Sequence, residues 1–231
     1  MISIIIPTYN EAGQIAITID RLKEITANGD VEIIVSDGGS TDETMQLAKD
    51  SGATVLLCKI KGRAAQMNAG AAIATGDILY FLHADTVPPE GFLTDVSEAV
   101  AQGYPAGCFI LAFDHPHWFL KANCWFTRFD ANALRFGDQS LFVTKVAFEK
   151  AGGFCEWHIV LEDQELIKRL RKLVRFKVIK TAVTTSARKY LENGIYKTQV
   201  IFFFIYFLYF IGFSQQKLVS TYKKLIRQDK F

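Results

Sequence analysis

Cysteine is scarce in this chain, and the few cysteines do not form a recognisable metal or redox motif. The 231 residues include four cysteines, and no two of them have the C-x-x-C spacing: Cys58, Cys108, Cys124 and Cys155. Isolated cysteines of this kind are typical of reduced, mostly buried thiols in a cytosolic protein. Met1 is followed directly by strand-forming residues without a basic stretch, so we also expect no secretory signal. Both absences predict a cytoplasmic protein.

The chain also lacks a large net charge and a dinucleotide-binding glycine motif. The formal net charge is +2, which by itself neither favours nor excludes nucleic acid. Basic residues cluster within 168–180 and 217–227, but the arginine-aromatic pattern of nucleic-acid binding is missing, so we expect no nucleic-acid partner. No G-x-G-x-x-G follows the first apolar segment, which disfavours a dinucleotide-dependent oxidoreductase.

The longest apolar run is too short to span a membrane. Residues 200–213 are almost wholly apolar and aromatic, whereas a spanning helix needs about 20 residues. A basic segment, residues 217–227, follows directly. The pair is compatible with an element at the inner membrane face, with a homodimer interface, or with a core helix of the same domain. We therefore divide the chain into a domain of residues 1–190 and a helical extension of residues 191–231.

What the chain does contain is a regular alternation of strands and helices. Strands are predicted at residues 2–6, 31–35 and 54–58, and a fourth apolar strand ends shortly before Asp85. Helical patterns separate them, which predicts right-handed βαβ units and an α/β fold with a mostly parallel sheet. Asn10 is expected to cap the first helix, and Ser40 and Glu43 are expected to form a capping box for the second.

Polar residues follow three of these strands, and Asp85 is the most informative of them. Ligands of open α/β sheets bind beyond the carboxyl ends of the strands, where polar turns from neighbouring strands form a cleft. Asp85 comes directly after the apolar fourth strand, and Pro88 and Pro89 prevent that strand from continuing. Asp85 is therefore a candidate ligand for a divalent ion and its phosphate. The alternative is that it caps the helix that starts near Glu90.

Four motifs occur in order along the chain, at residues 5–11, 36–42, 61–68 and 82–85, and an acid pair, Glu162–Asp163, follows later. Together they resemble the family 2 glycosyltransferases of GT-A, Rossmann-like fold. The resemblance extends to about Arg171. Residues 137–139, residues 185–188 and the aromatic tail resemble a small subgroup of stand-alone transferases, the radical-SAM/selenodomain-associated transferases.

The resemblance implies roles for particular residues. It implies a donor nucleotide site formed by Pro7, Thr8, Tyr9, Glu11, Asp37, Gly38, Lys61, Arg63, Asn68 and Ala84, in which Asp37 contacts the base. Asp85 matches the acid that binds a divalent metal, Mg²⁺ or Mn²⁺. His83 stands where the family usually has another acid, so it is either a second metal ligand or a group that binds phosphate or orients Asp85. Gly137, Asp138 and Gln139 would contact the acceptor or the donor sugar.

Asp163, with Glu162 in reserve, is implied as the general base. An acceptor hydroxyl must lose its proton as it attacks the anomeric carbon, and a carboxylate near the acceptor can take it. The alternative is that both acids only stabilise the start of a helix through its dipole. The predicted protein is therefore an inverting hexosyltransferase that uses a UDP- or GDP-type sugar, a divalent metal and a hydroxyl acceptor, which is lipid-linked or part of an envelope glycan. A sugar-phosphate nucleotidyltransferase and a non-catalytic nucleotide-sugar-binding membrane module remain as alternatives.

Overall fold

The computed structural model describes residues 1–27, 29–135 and 137–226, which form a curled eight-stranded sheet with helices packed on it. The strands are β1 (Ile2–Thr8), β2 (Val31–Asp37), β3 (Thr54–Leu57), β4 (Ile78–Phe81), β5 (Thr86–Val87), β6 (Ala106–Phe113), β7 (Leu141–Thr144) and β8 (Phe176–Thr185). The helices are α1 (Ile15–Ile25), α2 (Thr44–Asp50), α3 (Arg63–Ile73), α4 (Phe92–Ala101), α5 (Trp118–Phe126), α6 (Lys145–Ala151), α7 (Glu162–Leu173), α8 (Arg188–Asn193), α9 (Ile195–Phe210) and α10 (Gln215–Leu225). Two 3₁₀ turns, Asn132–Leu134 and Gly137–Gln139, precede β7.

The strand order is β3-β2-β1-β4-β7-β6-β8-β5. The pairs β3–β2, β2–β1 and β1–β4 are parallel, as the strand-helix alternation predicted. The pair β6–β8, which was not predicted, is also parallel. The pairs β4–β7, β7–β6 and β8–β5 are antiparallel. Strand β7 therefore joins the regular first half of the sheet to the irregular second half. The loops after β1, β2 and β4 open on the same edge because these three strands run in the same direction.

Strand β1 is buried on both faces, which explains its unbroken apolar sequence. Ile4 and Ile6 pack into a cluster with residues of α1 and α4, such as Ile19 and Phe92. Ile5 points the other way, into a cluster with residues of α3, α6 and α7. Helix α3 lies so close to β1 that a Cβ atom added to Gly70 would be 2.5 Å from Cγ2 of Ile5.

Both predicted helix caps are wrong, because their side chains join two loops instead. Helix α1 starts only at Ile15, and Asn10 has a left-handed backbone with φ of 53°. The side-chain oxygen of Asn10 accepts the N–H of Thr41 at 2.9 Å, while Ser40 Oγ accepts the N–H of Asn10 at 2.8 Å. These bonds fasten the loop after β1 to the loop after β2. Helix α2 starts at Thr44, and its cap residue makes no side-chain capping bond.

The alternative role of Asp85 as a helix cap is also wrong. Helix α4 starts at Phe92, and the residue before it is Gly91, in a left-handed conformation. Asp85 lies in the turn between β4 and the short strand β5, which was not predicted from the sequence. Strand β5 pairs with the end of β8, so the turn that holds Asp85 is anchored at the same edge as the other polar loops.

Helices α9 and α10 pack on the rest of the protein through one face. Gln199 Oε1 on α9 accepts hydrogen bonds from Asn123 at 3.1 Å and from the hydroxyl of Tyr190 at 2.9 Å. Ile201 and Ile205 are buried against α10, while Phe207 and Phe210 on the other face are 55% and 78% exposed. None of the helices in the described ranges is both long and apolar enough to cross a membrane. Arg227, the last residue of the predicted basic segment, and residues 228–231 lie outside the described residues.

Candidate active site

Asp37 holds the loops after β1 and β2 in place. Its Oδ2 accepts hydrogen bonds from the hydroxyls of Thr8 at 2.8 Å and Ser40 at 2.6 Å. Its Oδ1 accepts the N–H groups of Gly39 at 2.9 Å and Ser40 at 2.7 Å. The carboxylate is fully buried, and its four bonds satisfy the charge inside the protein. Asp37 thus shapes the loop, and its contact with a nucleobase stays a prediction.

Gln66, which sequence reasoning did not assign to the site, joins the ends of β1 and β2. Its side-chain amide donates to the carbonyl of Thr8 at 2.6 Å and to that of Ser36 at 2.9 Å. Gly38 lies against the same amide, because a Cβ atom there would be 3.0 Å from the Gln66 side chain. Gln66 lies in the 61–68 motif, so its position in that motif was the available signal.

Two of the predicted nucleoside-binding residues, Tyr9 and Glu11, lie beside basic side chains. The Lys61 ammonium lies 5.4 Å from the centre of the Tyr9 ring, which places a cation beside an aromatic surface. Glu11 Oε2 lies 3.7 Å from Nη2 of Arg188, which is the first residue of α8. Arg188 was noted in the sequence only as part of a subgroup motif. The structure therefore adds one more half-exposed cation to this side of the cleft.

Asp85 is available as a metal ligand. Ala84 is buried, its carbonyl accepts the hydroxyl of Thr18 at 2.6 Å, and the carbonyl of Asp85 accepts the N–H of Ser186 at 3.1 Å. These bonds fix the backbone, while the half-buried carboxylate of Asp85 has no hydrogen bond or ion pair with any described residue. Asp85 also belongs to no group of three protein ligands in the described part of the chain. This donor set fits Mg²⁺ or Mn²⁺, which proteins often hold through one or two carboxylates, substrate phosphates and water.

His83 is joined to Asp138 across the cleft. His83 Nδ1 lies 2.7 Å from Asp138 Oδ1, so the ring has only Nε2 left for a ligand. Burial acts to lower the pKa of His83, but the hydrogen bond and the charge of Asp138 outweigh it and raise the pKa. Burial acts to raise the pKa of Asp138, and the bond and charge of His83, with Lys189 and Arg63, bring it well below its usual range. The pair is therefore a partly buried bridge from β4 to the 3₁₀ turn Gly137–Gln139, in which each partner favours the charged form of the other.

Helix α7 presents Glu162 and Asp163 in its first turn, without a side-chain capping bond. Glu162 is 2% exposed, and its Oε1 lies 3.2 Å from Nη1 of Arg63, close enough for an ion pair but without hydrogen-bond alignment. Leu161, just before the pair, has a left-handed φ of 62°. Such a conformation in a branched residue costs roughly 1–3 kcal/mol, and it is a feature that clusters at functional sites.

Asp163 is a buried carboxylate without a partner. It is 7% exposed, and no described residue gives it a hydrogen bond or an ion pair. Burial raises the pKa of Asp163, and the neighbouring charge of Glu162 raises it further, to about 7, although His83 and Arg63 act in the opposite direction. A carboxyl group with this pKa changes its protonation state near neutral pH, which is the property of a general base.

The side chains of two other predicted site residues form hydrogen bonds within the protein. Asn68 donates to the carbonyl of Phe154 at 2.9 Å and accepts the N–H of Phe154 at 2.8 Å. Gln139 is buried and donates to the carbonyl of Phe109 at 3.3 Å. Their direct contacts with a donor or an acceptor stay predictions, as does that of Gly137. The residues that do lie close enough to influence one another electrostatically are Arg63, His83, Asp138, Glu162 and Asp163.

The strand order and the polar loops at one sheet edge define a GT-A fold. Residues 3–148 match glycosyl transferase family 2, and the chain belongs to that family. A curated relative is the undecaprenyl-phosphate 4-deoxy-4-formamido-L-arabinose transferase of Aeromonas hydrophila, which is 31% identical over 132 residues, covering 52% of this chain and 40% of that protein. The chain spans well under half the length of the curated relatives that it matches.

Solved structures agree with the fold. The first 349 residues of S. aureus TarS, in complex with UDP-GlcNAc, superimpose with a TM-score of 0.67 at 16% identity, covering 80% of this chain and 58% of that one. The mannosyltransferase PcManGT of Pyrobaculum calidifontis, in complex with GDP-Man and Mn²⁺, superimposes with a TM-score of 0.63 at 20% identity, covering 79% of this chain and 56% of that one. At these identities the likeness establishes the fold.

Proposed function

We propose that this protein is a metal-dependent glycosyltransferase that moves a hexose from a nucleoside-diphosphate sugar to a hydroxyl acceptor with inversion at the anomeric carbon. The observation that carries the proposal is Asp163, a buried carboxylate without a partner and with a pKa of about 7, at the sheet edge where Asp85 is also free. Family membership supports the same reaction. The described cysteines are all free thiols, which supports a cytoplasmic location.

The donor is proposed to lie across the loops after β1, β2 and β4. Pro7, Thr8, Tyr9, Glu11 and Gly38 would surround the nucleoside, and Lys61 and Arg63 would supply positive charge near the diphosphate. The UDP- and GDP-sugar complexes of the two structural neighbours support a nucleotide-sugar donor of one of these types. The Mn²⁺ of the mannosyltransferase supports a divalent ion at Asp85 here. Such an ion, when bound, supplies charge that stabilises the leaving diphosphate.

Asp163 is proposed to act as the general base. As the acceptor oxygen forms its bond to the anomeric carbon, its proton passes to Asp163, and the bond to the diphosphate oxygen breaks with its electron pair on that oxygen. Attack on the face opposite the leaving group inverts the centre. Glu162 forms an ion pair with Arg63 and raises the pKa of Asp163. Its proposed role is therefore to position Arg63 and tune Asp163, and it does not take the proton itself.

The test measures hydrolysis of UDP-glucose and GDP-mannose with Mn²⁺ or Mg²⁺, with water as the hydroxyl acceptor. We expect Asp163→Asn to lower kcat about 10²- to 10⁴-fold, the usual contribution of a general base. The intact enzyme should lose activity as the pH falls below about 7, because Asp163 becomes protonated, and the variant should lack this limb. Asp20→Asn, an exposed site on α1, is the matched control.

Donor binding is measured separately, by the rise in melting temperature that each nucleotide sugar causes. Asp163→Asn should retain this rise, while Asp85→Asn should lose the part that depends on metal. Full hydrolysis by Asp163→Asn would contradict the base assignment. Binding without any turnover by the intact protein would favour the non-catalytic alternative, and release of pyrophosphate from a nucleoside triphosphate and a sugar phosphate would favour the nucleotidyltransferase.

We also propose that the extension of residues 191–231 attaches the protein to the inner face of a membrane. The exposed apolar residues of α9 recur at helical spacing on one face: Val200, Phe203, Phe204, Phe207 and Phe210. Exposed lysines flank this face, including Lys197 and Lys217, and can interact with anionic lipid. The undecaprenyl-phosphate substrate in the name of the Aeromonas relative supports a lipid-linked acceptor.

A further inference from the structure

A second cluster of metal-binding groups lies outside the donor cleft. Cys155, His158 and Glu165 each place one ligand atom within 4.8 Å of the others. Cys155 and His158 belong to the segment between α6 and α7, and Glu165 belongs to the first turn of α7. The two-residue spacing C-x-x-H resembles the short ligand spacings of structural zinc sites.

His158 supplies an independent observation that points to a ligand. Its Nδ1 is buried and has no hydrogen-bond partner among the described residues. A buried polar atom without a partner is unfavourable, and coordination to a metal would satisfy this nitrogen. The Tyr209 ring of α9 lies over His158, with ring centres 6.0 Å apart in an edge-on arrangement, and fixes the orientation of the imidazole.

Arg169 forms hydrogen bonds with the Glu165 carboxylate and would orient it as a metal ligand. Arg169 Nε donates to Glu165 Oε1 at 2.7 Å, and Nη2 donates to Oε2 at 2.5 Å. Ligating carboxylates are usually hydrogen-bonded in turn, and each oxygen retains a lone pair for a metal. The arginine also positions α7 against α6, because it donates to the carbonyl of Ala151.

The segment that carries the cluster is held on two sides. Asn68 on α3 forms two hydrogen bonds with Phe154, the residue before Cys155, and donates a third to Glu156, the residue after it. On the other side, Gln215 Oε1 at the start of α10 accepts the N–H groups of Ile159 and Val160, both at 3.1 Å. The ligands are therefore positioned before any ion binds, which lowers the cost of ordering them.

We propose that Cys155, His158 and Glu165 bind a zinc-type ion that fixes the segment leading into Glu162 and Asp163. A thiolate, an imidazole and a carboxylate suit Zn²⁺, whereas Mg²⁺ and Mn²⁺ prefer oxygen ligands such as Asp85. Two anionic ligands neutralise the ion, and water would complete four-coordination. The ion would hold Leu161 in its left-handed conformation and so position the acid pair.

The experiment titrates the full chain with Co²⁺, a spectroscopic substitute for Zn²⁺, in the presence of a phosphine reductant. We expect one equivalent of Co²⁺ to produce a thiolate-to-cobalt charge-transfer band and the intense visible bands of a four-coordinate ion, both removed by added Zn²⁺. Cys155→Ser should abolish the charge-transfer band. Cys58→Ser, which removes a thiol elsewhere, and Asp85→Asn, which removes the proposed catalytic ligand, should both retain it.

A second measurement keeps the proposal testable if a variant folds poorly. Zn²⁺ should raise the melting temperature of the intact chain, and His158→Phe should lose this rise while keeping the circular dichroism of the native fold. Arg169→Met should weaken Zn²⁺ binding about 10- to 100-fold, as loss of an outer partner does. A charge-transfer band that persists in Cys155→Ser, or no thiolate band in the intact chain, would overturn the site. Neither result bears on Asp163, whose role rests on hydrolysis.

Discussion

At the residue scale, two pairs of oppositely charged side chains fix the arrangement of the candidate site. His83 and Asp138 form a bridge from the end of β4 to the turn before β7, and Arg63 faces Glu162 from the start of α3. Asp85 and Asp163 are the acids of the cleft that have no partner among the described residues. The engaged acids therefore fix the arrangement of the site, and the two unengaged ones are those to which we assign the metal and the acceptor proton.

The bridge predicts how His83 titrates. In Asp138→Asn the pKa of His83 should fall below its ordinary value, because burial remains and the partner that raises the pKa is lost. The measurement is the titration of the His83 ring followed by NMR. His117→Gln, which removes a histidine that caps α5, helps to assign the resonances and should leave the His83 titration unchanged. An unchanged pKa in Asp138→Asn would show that the bridge does not form in solution.

The same bridge determines a pH window for stability. The raised pKa of His83 contributes stability that is present below the unfolded histidine pKa, about 6.5, and is lost as pH rises through the folded value. The lowered pKa of Asp138 contributes stability that is present above its unfolded value, about 3.9, and is lost as pH falls through the folded value. The melting temperatures of the intact protein and Asp138→Asn should therefore differ most between these limits, near pH 5.

At the element scale, helix α3 is the part whose position matters most for the site. It supplies Arg63 to the acid pair, Gln66 to the ends of β1 and β2, and Asn68 to the segment after α6. Its close approach to β1 depends on Gly70, which leaves room for Ile5. A shift of this one helix would disturb all three connections.

Gly70→Ala should therefore destabilise the protein, although alanine favours helices more than glycine does. The added Cβ would lie 2.5 Å from Cγ2 of the fully buried, β-branched Ile5, which has little freedom to move. Overpacking of this kind costs typically 1–3 kcal/mol, more than the roughly 1 kcal/mol gained in helix propensity. Urea unfolding measures the net loss. Gly13→Ala is the matched control, since nothing lies within 4 Å of its added Cβ, and equal stability of the two variants would contradict the prediction.

The sequence predicted the strands and helices of the first half, whereas the strands β5 and β8 were not predicted. The apolar runs of β1, β2 and β4 and the helices between them follow from local periodicity. Strand β8 was missed because its residues alternate little and include Lys177 and Lys180. The caps at Asn10 and Ser40 were wrong because these side chains bond across 30 and 31 residues, a contact that local patterns do not encode.

The site was predictable to a similar extent. Asp85 and Asp163 follow from ordered motifs, and the structure gives both an unpaired carboxylate. Gln66 and Arg188 lie in motifs that the sequence showed, but no role in the site was assigned to them. The His83–Asp138 bridge depends on which elements meet, so no single segment gave a signal for it.

At the scale of the whole molecule, the exposed face of α9 predicts attachment to lipid. Val200 is 65% exposed and Phe210 is 78% exposed, although both lie on the helix whose other face is buried. Phe207→Ser combined with Phe210→Ser should weaken binding to anionic vesicles at least about tenfold, because two rings leave the interface and tenfold corresponds to only about 1.4 kcal/mol. Vesicle flotation measures the bound fraction.

Val146→Ser is the matched control, because this residue is 75% exposed on α6 and lies outside the extension. Equal flotation of all three proteins would contradict attachment through α9. A homodimer formed through α9 would give a different result. Light scattering would show twice the chain mass for the intact protein and a monomer for the double variant. Neither of these two proteins would float with the vesicles.

The position of strand β7 in the sheet also determines which fragments of the chain are expected to fold in isolation. It is the antiparallel partner of β4 on one side and of β6 on the other. A fragment that stops before residue 141 would keep β1, β2 and β4 but leave the backbone of β4 without its neighbour. Open edges of this kind recruit other chains, so such a fragment should precipitate during expression. The parts of the sheet on either side of β7 therefore cannot be produced separately by cutting the gene between them.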